Sequence, residues 1–163
     1  MVNLPRVEDA DLKGKVVLIR SDNNVVKKGK IDDDNRLVKS KPTIDYVLKS
    51  GGLPIVMTHV GRPRDKKTGI ITISEEETVT PVTEYIQKKW NLKVAVPDAN
   101  AENASEKGLP GINEAARTAV ENLKAGEVDL VYLPNTRWYE GEESEGPARD
   151  KLVAELASLA DVF

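Results

Sequence analysis

The chain predicts an α/β fold, a Rossmann-like parallel sheet with helices on both faces. Three observations carry this. The aliphatic runs Lys15–Arg20, Pro54–Met57 and Val128–Leu133 are continuous rather than alternating, as in strands covered on both sides. Segments with helical spacing of apolar residues separate them, and such strand–helix alternation builds a parallel sheet through right-handed crossovers. Each run also stops abruptly at a polar turn, and in open α/β sheets ligands collect outside the carboxyl ends of the strands.

The elements follow in order. Lys15–Arg20 is the first strand, entered from Gly14 and ended by Ser21-Asp22-Asn23-Asn24, residues that favour turns. Lys27–Arg36 reads as a charged, solvated loop. Ile44, Val47 and Leu48 predict a helix starting near Pro42 and closing at Gly51-Gly52. Pro54–Met57 is the second strand and runs into Thr58-His59-Val60-Gly61-Arg62-Pro63. Arg64–Gly69 reads as a mobile polar loop. Val82, Tyr85, Ile86 and Trp90 mark a helix over Thr78–Trp90, with Pro81 tolerated in its first turn. Leu92–Val96 is a short strand, and Asp98–Leu109 is irregular with a short helical turn. Gly111–Leu123 is a helix whose apolar face is Ile112, Ala115, Ala116, Ala119 and Leu123. Val128–Leu133 ends in Pro134-Asn135-Thr136-Arg137-Trp138, and Glu140–Gly146 is an acidic loop expected to be solvated. Pro147–Leu159 is a helix packing Leu152, Val153, Leu156 and Leu159, and Ala160–Phe163 begins another strand.

Composition narrows the function. The chain's 163 residues suit one domain, and its low aromatic content of 4% implies a core of Val, Leu, Ile and Ala. It has no cysteine, so disulfides, thiolate metal sites and a cysteine nucleophile are excluded, and a cytoplasmic location is expected. A net charge of -3 argues against a general polyanion binder. Lys27, Lys28 and Lys30 lack interleaved aromatics, so no nucleic acid is expected as a partner. No apolar run approaches the ~20 residues of a membrane span, and Met1–Arg6 lacks the apolar core of a leader peptide.

The strand-end turns supply Asp22, Asn24, His59, Gly61, Arg62 and Arg137, with Arg36 nearby in the charged segment. In a parallel sheet these ends share one edge, so the side chains can converge. Arginine grips phosphate and carboxylate in a planar, bidentate way, and Asp22 and Asn24 suit hydroxyls. The implied ligand is small, multiply anionic and hydroxylated, such as a phosphorylated sugar acid. Several plainer readings stand beside these. Arg20 is expected to be an internal ion-pair residue. Asp32-Asp33-Asp34 cannot all face one cation in an extended chain and reads as a solvated loop, so no metal is expected. Gly51-Gly52 reads as a helix end.

Four motifs, in order, resemble the phosphoglycerate kinase family. Asp11–Val25, with Leu12-Lys13-Gly14-Lys15 before the strand and Arg20-Ser21-Asp22-Asn23-Asn24-Val25 after it, resembles that family's amino-terminal signature. Asp33–Leu37 is similar to the loop that follows, Thr58–Pro63 to a His-Leu-Gly-Arg-Pro turn, and Pro134–Glu143 to a Glu-Asn-Leu-Arg-Phe stretch with trailing acids. The resemblance implies the amino-terminal, phosphoglycerate-binding domain over residues 1–163, incomplete at its end, with the nucleotide-binding domain absent. It implies a site for 3-phosphoglycerate or 1,3-bisphosphoglycerate: Asp22 and Asn24 at the hydroxyl and carboxyl end, Arg36 as the catalytic residue at the reacting carboxyl, and His59, Gly61, Arg62 and Arg137 around the 3-phosphate. Mg-ATP or Mg-ADP would be bound by the absent domain, with no cofactor in this chain. The full enzyme would be a monomeric glycolytic kinase. The fragment alone is expected to be inactive, to bind weakly and to self-associate through exposed apolar surface. Asn23 stands where the family has Phe and Val26 where it has Pro, which predicts a looser turn; Pro134 replaces a Glu.

The alternative is a stand-alone α/β sugar-phosphate-binding or regulatory module. A nucleotide-binding Rossmann domain is a third reading, opposed by the missing glycine fingerprint after the first strand.

Overall fold

The computed structural model describes residues 6–163. Residues 1–5, most of the stretch read as lacking a leader's core, lie outside the described residues. The main sheet has four parallel strands in the order β1 (Val16–Arg20), β4 (Leu53–Met57), β6 (Leu130–Tyr132) and β5 (Val94–Ala95). The intervening β2 (Val26–Lys27) and β3 (Lys30–Ile31) form a separate antiparallel hairpin. Beyond β1, Val162 pairs in parallel with Val17, and Leu18 N–H donates to the Val162 carbonyl at 2.9 Å, so the strand expected from Ala160 starts on the outer edge.

The chain steps outward from β1 through β4 to β5, then turns back to β6 and to Val162. Right-handed crossovers must then place the first two helices on one face and the last two on the other. That is the arrangement found. α1 (Asn35–Lys49) and α2 (Thr80–Trp90) pack Leu37, Ile44, Val82 and Ile86 against Val56, Leu130 and Tyr132. α3 (Glu114–Lys124) and α4 (Pro147–Leu159) pack Ala116, Val120, Leu123, Leu152 and Leu159 against Val16, Leu18, Ile55, Met57 and Val131. Alternate residues of each strand feed the two cores, which is why the strand sequences are apolar throughout.

Several elements are shorter than read from the sequence, α3 starting at Glu114 rather than Gly111 and β6 spanning only Leu130–Tyr132, and three departures are larger. The expected charged loop contains the hairpin β2–β3, whose turn is Lys28-Gly29 with both φ values positive (49° and 71°), the geometry that matches strand twist. The first helix begins at Asn35 rather than near Pro42. Pro42 lies inside α1 on its exposed side, leaving the Val38 carbonyl without an intrahelical donor. The preceding turn is organised by Asp33, which accepts from the backbone and side chain of Asn35 and whose carboxyl is held below its ordinary value by those bonds. Val153, expected on the packed face of α4, is 58% exposed. It lines an apolar groove of about 380 Å³ with Leu18, Met57, Leu156, Val162 and Phe163. Gly51 and Gly52 do close α1, donating to the Leu48 and Val47 carbonyls at 3.0 and 2.9 Å. Among the described residues no helix is long and apolar enough to cross a membrane.

Candidate functional site

The three strand-end turns are stitched together at the carboxyl edge of the sheet. Ser21 N–H donates to the Met57 carbonyl and Thr136 N–H to the Thr58 carbonyl, both at 3.0 Å. Asn23 N–H donates to Thr58 Oγ1 at 3.0 Å. Side chains more than a hundred residues apart in sequence therefore share one edge.

The structure brings Asn24 and Arg36 into one cleft and Arg62 and Arg137 into another, while Asp22, His59 and Gly61 line neither. In the first, about 220 Å³, Asn24 and Arg36 meet Lys27, Asp32 and Asp33. Arg36, in the first turn of α1, donates to Asp22 at 2.9 Å and to the Asn24 carbonyl at 3.5 Å. The second, about 450 Å³, is lined by Arg62, Arg64, Lys66, Arg137 and Glu143. Gly61 joins the two, its N–H donating to Asn24 Oδ1 at 3.0 Å and its carbonyl accepting from Arg137 at 2.6 Å. The φ of Gly61 is +64°, a conformation that favours glycine. Arg62 donates its backbone N–H to Glu77 at 3.1 Å, and its side chain is exposed in the second cleft.

The acidic loop is not merely solvated. Glu142 accepts from Arg20 at 3.2 Å, Glu143 lies 3.3 Å from Arg137 and 3.8 Å from Arg64, and Glu140 lies 3.8 Å from Lys107. Carboxylates face the arginine cluster because unscreened guanidinium groups this close together repel one another. Arg20 is an ion-pair residue as expected, but an exposed one rather than internal. The Asp32–Asp34 run stays exposed: Asp32 pairs with Lys27, Asp33 accepts from the Asn35 N–H just before α1, and Asp34 accepts from the Tyr85 hydroxyl at 2.9 Å.

Two residues at this edge escaped the sequence reading. Asn135 is fully buried under the second cleft. Asn23, expected to loosen its turn, is instead fully buried and donates to the buried Tyr132 hydroxyl at 3.0 Å, tying the end of β1 to β6. Burial holds that phenol above its ordinary pKa. The signal for both was a polar residue flanked by strand and turn residues, which sequence alone reads as surface.

His59 is half-buried, and its pKa is pushed below the ordinary 6.5, first by burial and then by the Arg137 and Arg20 charges, with Asp22 and Glu142 opposing. The unfolded chain therefore takes up this proton more readily than the folded one. The His59 contribution to stability is fully present above about pH 6.5 and is lost as pH falls through that value toward the lower folded pKa. An NMR titration of the single imidazole is expected to show a midpoint below 6.5; a midpoint at or above 6.5 would refute this account of its surroundings.

The chain is 38% identical over 162 residues to a phosphoglycerate kinase of Clostridium tetani, covering 99% of this chain and 35% of that protein. It is 38% identical over 158 residues to one from Bradyrhizobium diazoefficiens, covering 34% of it. The chain thus spans about a third of the length of these curated relatives. Among solved structures, phosphoglycerate kinase from Pyrococcus horikoshii OT3 matches with a TM-score of 0.67 at 24% identity, over 97% of this chain and 35% of that one. The structure from Coxiella burnetii gives 0.64 at 24%, over 96% and 33%. These likenesses show a shared fold. The family model for phosphoglycerate kinase matches residues 7–163, nearly the whole chain, and by that match the chain belongs to the phosphoglycerate kinase family.

Proposed function

We propose that this chain is the substrate half of a phosphoglycerate kinase and binds 3-phosphoglycerate or 1,3-bisphosphoglycerate across its two clefts. The observation that supports this is the gathering of Asp22, Asn24 and Arg36 on one side of Gly61, and of Arg62 and Arg137 on the other, at the sheet's carboxyl edge. The 3-phosphate sits against Arg62 and Arg137 with His59 beside them, and bidentate guanidinium contacts fix its orientation. Asp22 and the Asn24 amide take the hydroxyl and carboxyl end. Arg36 faces the reacting carboxyl and neutralises charge that develops on the phosphoryl group in transfer. Residues 1–163 form the amino-terminal phosphoglycerate-binding domain in this reading. Mg-ATP or Mg-ADP is held by the part of such a protein that this chain does not span, and closure of the two parts aligns the reactants. The complete protein is a cytoplasmic, monomeric enzyme of glycolysis. The chain by itself does not catalyse transfer, and its apolar groove favours self-association.

Titration calorimetry of the chain with 3-phosphoglycerate and with ADP separately tests this. Weak binding of the first and none of the second is expected; the reverse pattern, or turnover of ATP by the chain alone, would reject it. Bound phosphate stabilises the imidazolium of His59, so binding takes up a proton. Affinity is expected to improve as pH falls from about 7.5 toward 6, below which the phosphate itself gains a proton, its second pKa being about 6.

A further inference from the structure

Asn135 sits at the junction of the three segments that carry the second cleft. Its side chain is fully buried and fully used. Oδ1 accepts from the Val60 N–H at 3.0 Å and from the Arg137 N–H at 3.1 Å. Nδ2 donates to the Val60 carbonyl at 2.8 Å and to the Glu77 carbonyl at 3.0 Å. One amide thus closes both backbone groups of Val60, one residue before Gly61, onto the start of the turn that bears Arg137. It also holds the segment whose Glu77 carboxylate accepts from Arg62 N–H. No hydroxyl or carboxylate can reproduce this set, which needs two donors and two acceptors at one end of a short side chain.

The spacing of Arg62 and Arg137 decides whether both can grip one phosphate, since a bidentate contact tolerates little misplacement. Those two arginines follow different strands, and on the buried side Asn135 joins their turns by four bonds beside the single Thr136 N–H to Thr58 carbonyl bond, while Arg137 reaches Gly61 on the open side. We propose that Asn135 is a positioning residue for the anion site: it touches no ligand and sets the separation and facing of the Arg62 and Arg137 turns. This rests on the phosphate reading of the second cleft.

The test is Asn135→Ser, which is neutral and too short to reach both Val60 groups, with Asn135→Gln keeping the amide but moving it outward by one methylene. Binding of 3-phosphoglycerate is measured at a temperature where each variant is folded by circular dichroism. A loss of affinity of about tenfold or more in both variants is expected, corresponding to misplacement of one charge-assisted contact. In an Arg137→Ala background the same replacements should cost clearly less affinity than in the parent, because the pair of arginines they space is broken. Equal affinity of Asn135→Ser and the parent, or an undiminished loss in the Arg137→Ala background, would overturn the proposal. Amide hydrogen exchange decides the matter independently of any ligand. Faster exchange confined to the Val60 and Arg137 amides, with Leu130–Tyr132 still protected, supports positioning. Loss of protection throughout the sheet would mark Asn135 as a plain core residue and overturn it. A parent chain that binds no 3-phosphoglycerate refutes the phosphate reading, and the exchange result then still decides the role of Asn135 as a brace.

Discussion

Arg62→Ala is expected to abolish measurable binding of 3-phosphoglycerate while leaving the free energy of unfolding within about 0.5 kcal/mol of the parent. The two effects separate because of where the guanidinium stands. Among the described residues the only hydrogen bond found for Arg62 is made by its backbone N–H, to Glu77, and alanine keeps that group. The side chain is exposed in the basic cleft, so its removal leaves no buried partner unsatisfied. A charge-assisted contact contributes about 1.5–3 kcal/mol, and a bidentate one supplies two such bonds, so a loss of a hundredfold or more follows. Arg137→Ala provides the contrast. Its guanidinium also holds the Gly61 carbonyl and pairs with Glu143, so that replacement should lower both affinity and stability. Calorimetry and urea unfolding on both variants check the pair. An Arg62→Ala chain that binds as well as the parent would remove Arg62 from the site.

Much of this molecule is legible in the sequence, and what is not has physical causes. The continuous runs Val16–Arg20 and Leu53–Met57 announced strands buried on both faces and helices on each side of a parallel sheet; which helix takes which side follows only from the strand order of the folded chain. Leu130–Tyr132 was equally clear, although the strand is shorter than its apolar run. The hairpin at Lys28-Gly29 was hidden because lysine is an uncommon choice for a left-handed position and charge reads as loop. The start of α1 was displaced because Pro42 is a helix-start signal, and only the folded chain shows it lodged on an exposed face. At the candidate site, the charges expected to face a ligand were legible as types and positions. Their internal partners were not, since Glu142 reaches Arg20 across the fold and only the folded loop turns Glu143 back onto Arg137. Asn135 and Asn23 show the same limit more sharply. Their value lies in burial and in bonds to groups far along the chain, and neither property is written in residue type.

Gly61→Ala is expected to destabilise the chain by about 2–3 kcal/mol and to weaken ligand binding with it. Two costs combine. A left-handed backbone conformation, here φ +64°, costs a non-glycine residue about 1 kcal/mol or more. A Cβ at this position would also lie 2.0 Å from Glu77 Oε1 and 2.6 Å from its carboxyl carbon, so the carboxylate must swing away. That movement breaks its bond to the Arg62 N–H and frees the turn that carries the guanidinium, a further loss of about 1–2 kcal/mol for a charge-assisted bond that is partly solvated. For a chain of this length the sum corresponds to a melting temperature lower by about 5–10 °C. The two costs can be told apart. Glu77→Ala loses the bond without the clash, and adding Gly61→Ala to it should then cost only the backbone strain. The double variant is therefore expected to be more stable than the sum of the single effects allows, by about 1–2 kcal/mol, the bond that both singles lose. Strict additivity would show that the carboxylate is not held over Gly61, and would remove Glu77 from the brace that presents Arg62 to the phosphate.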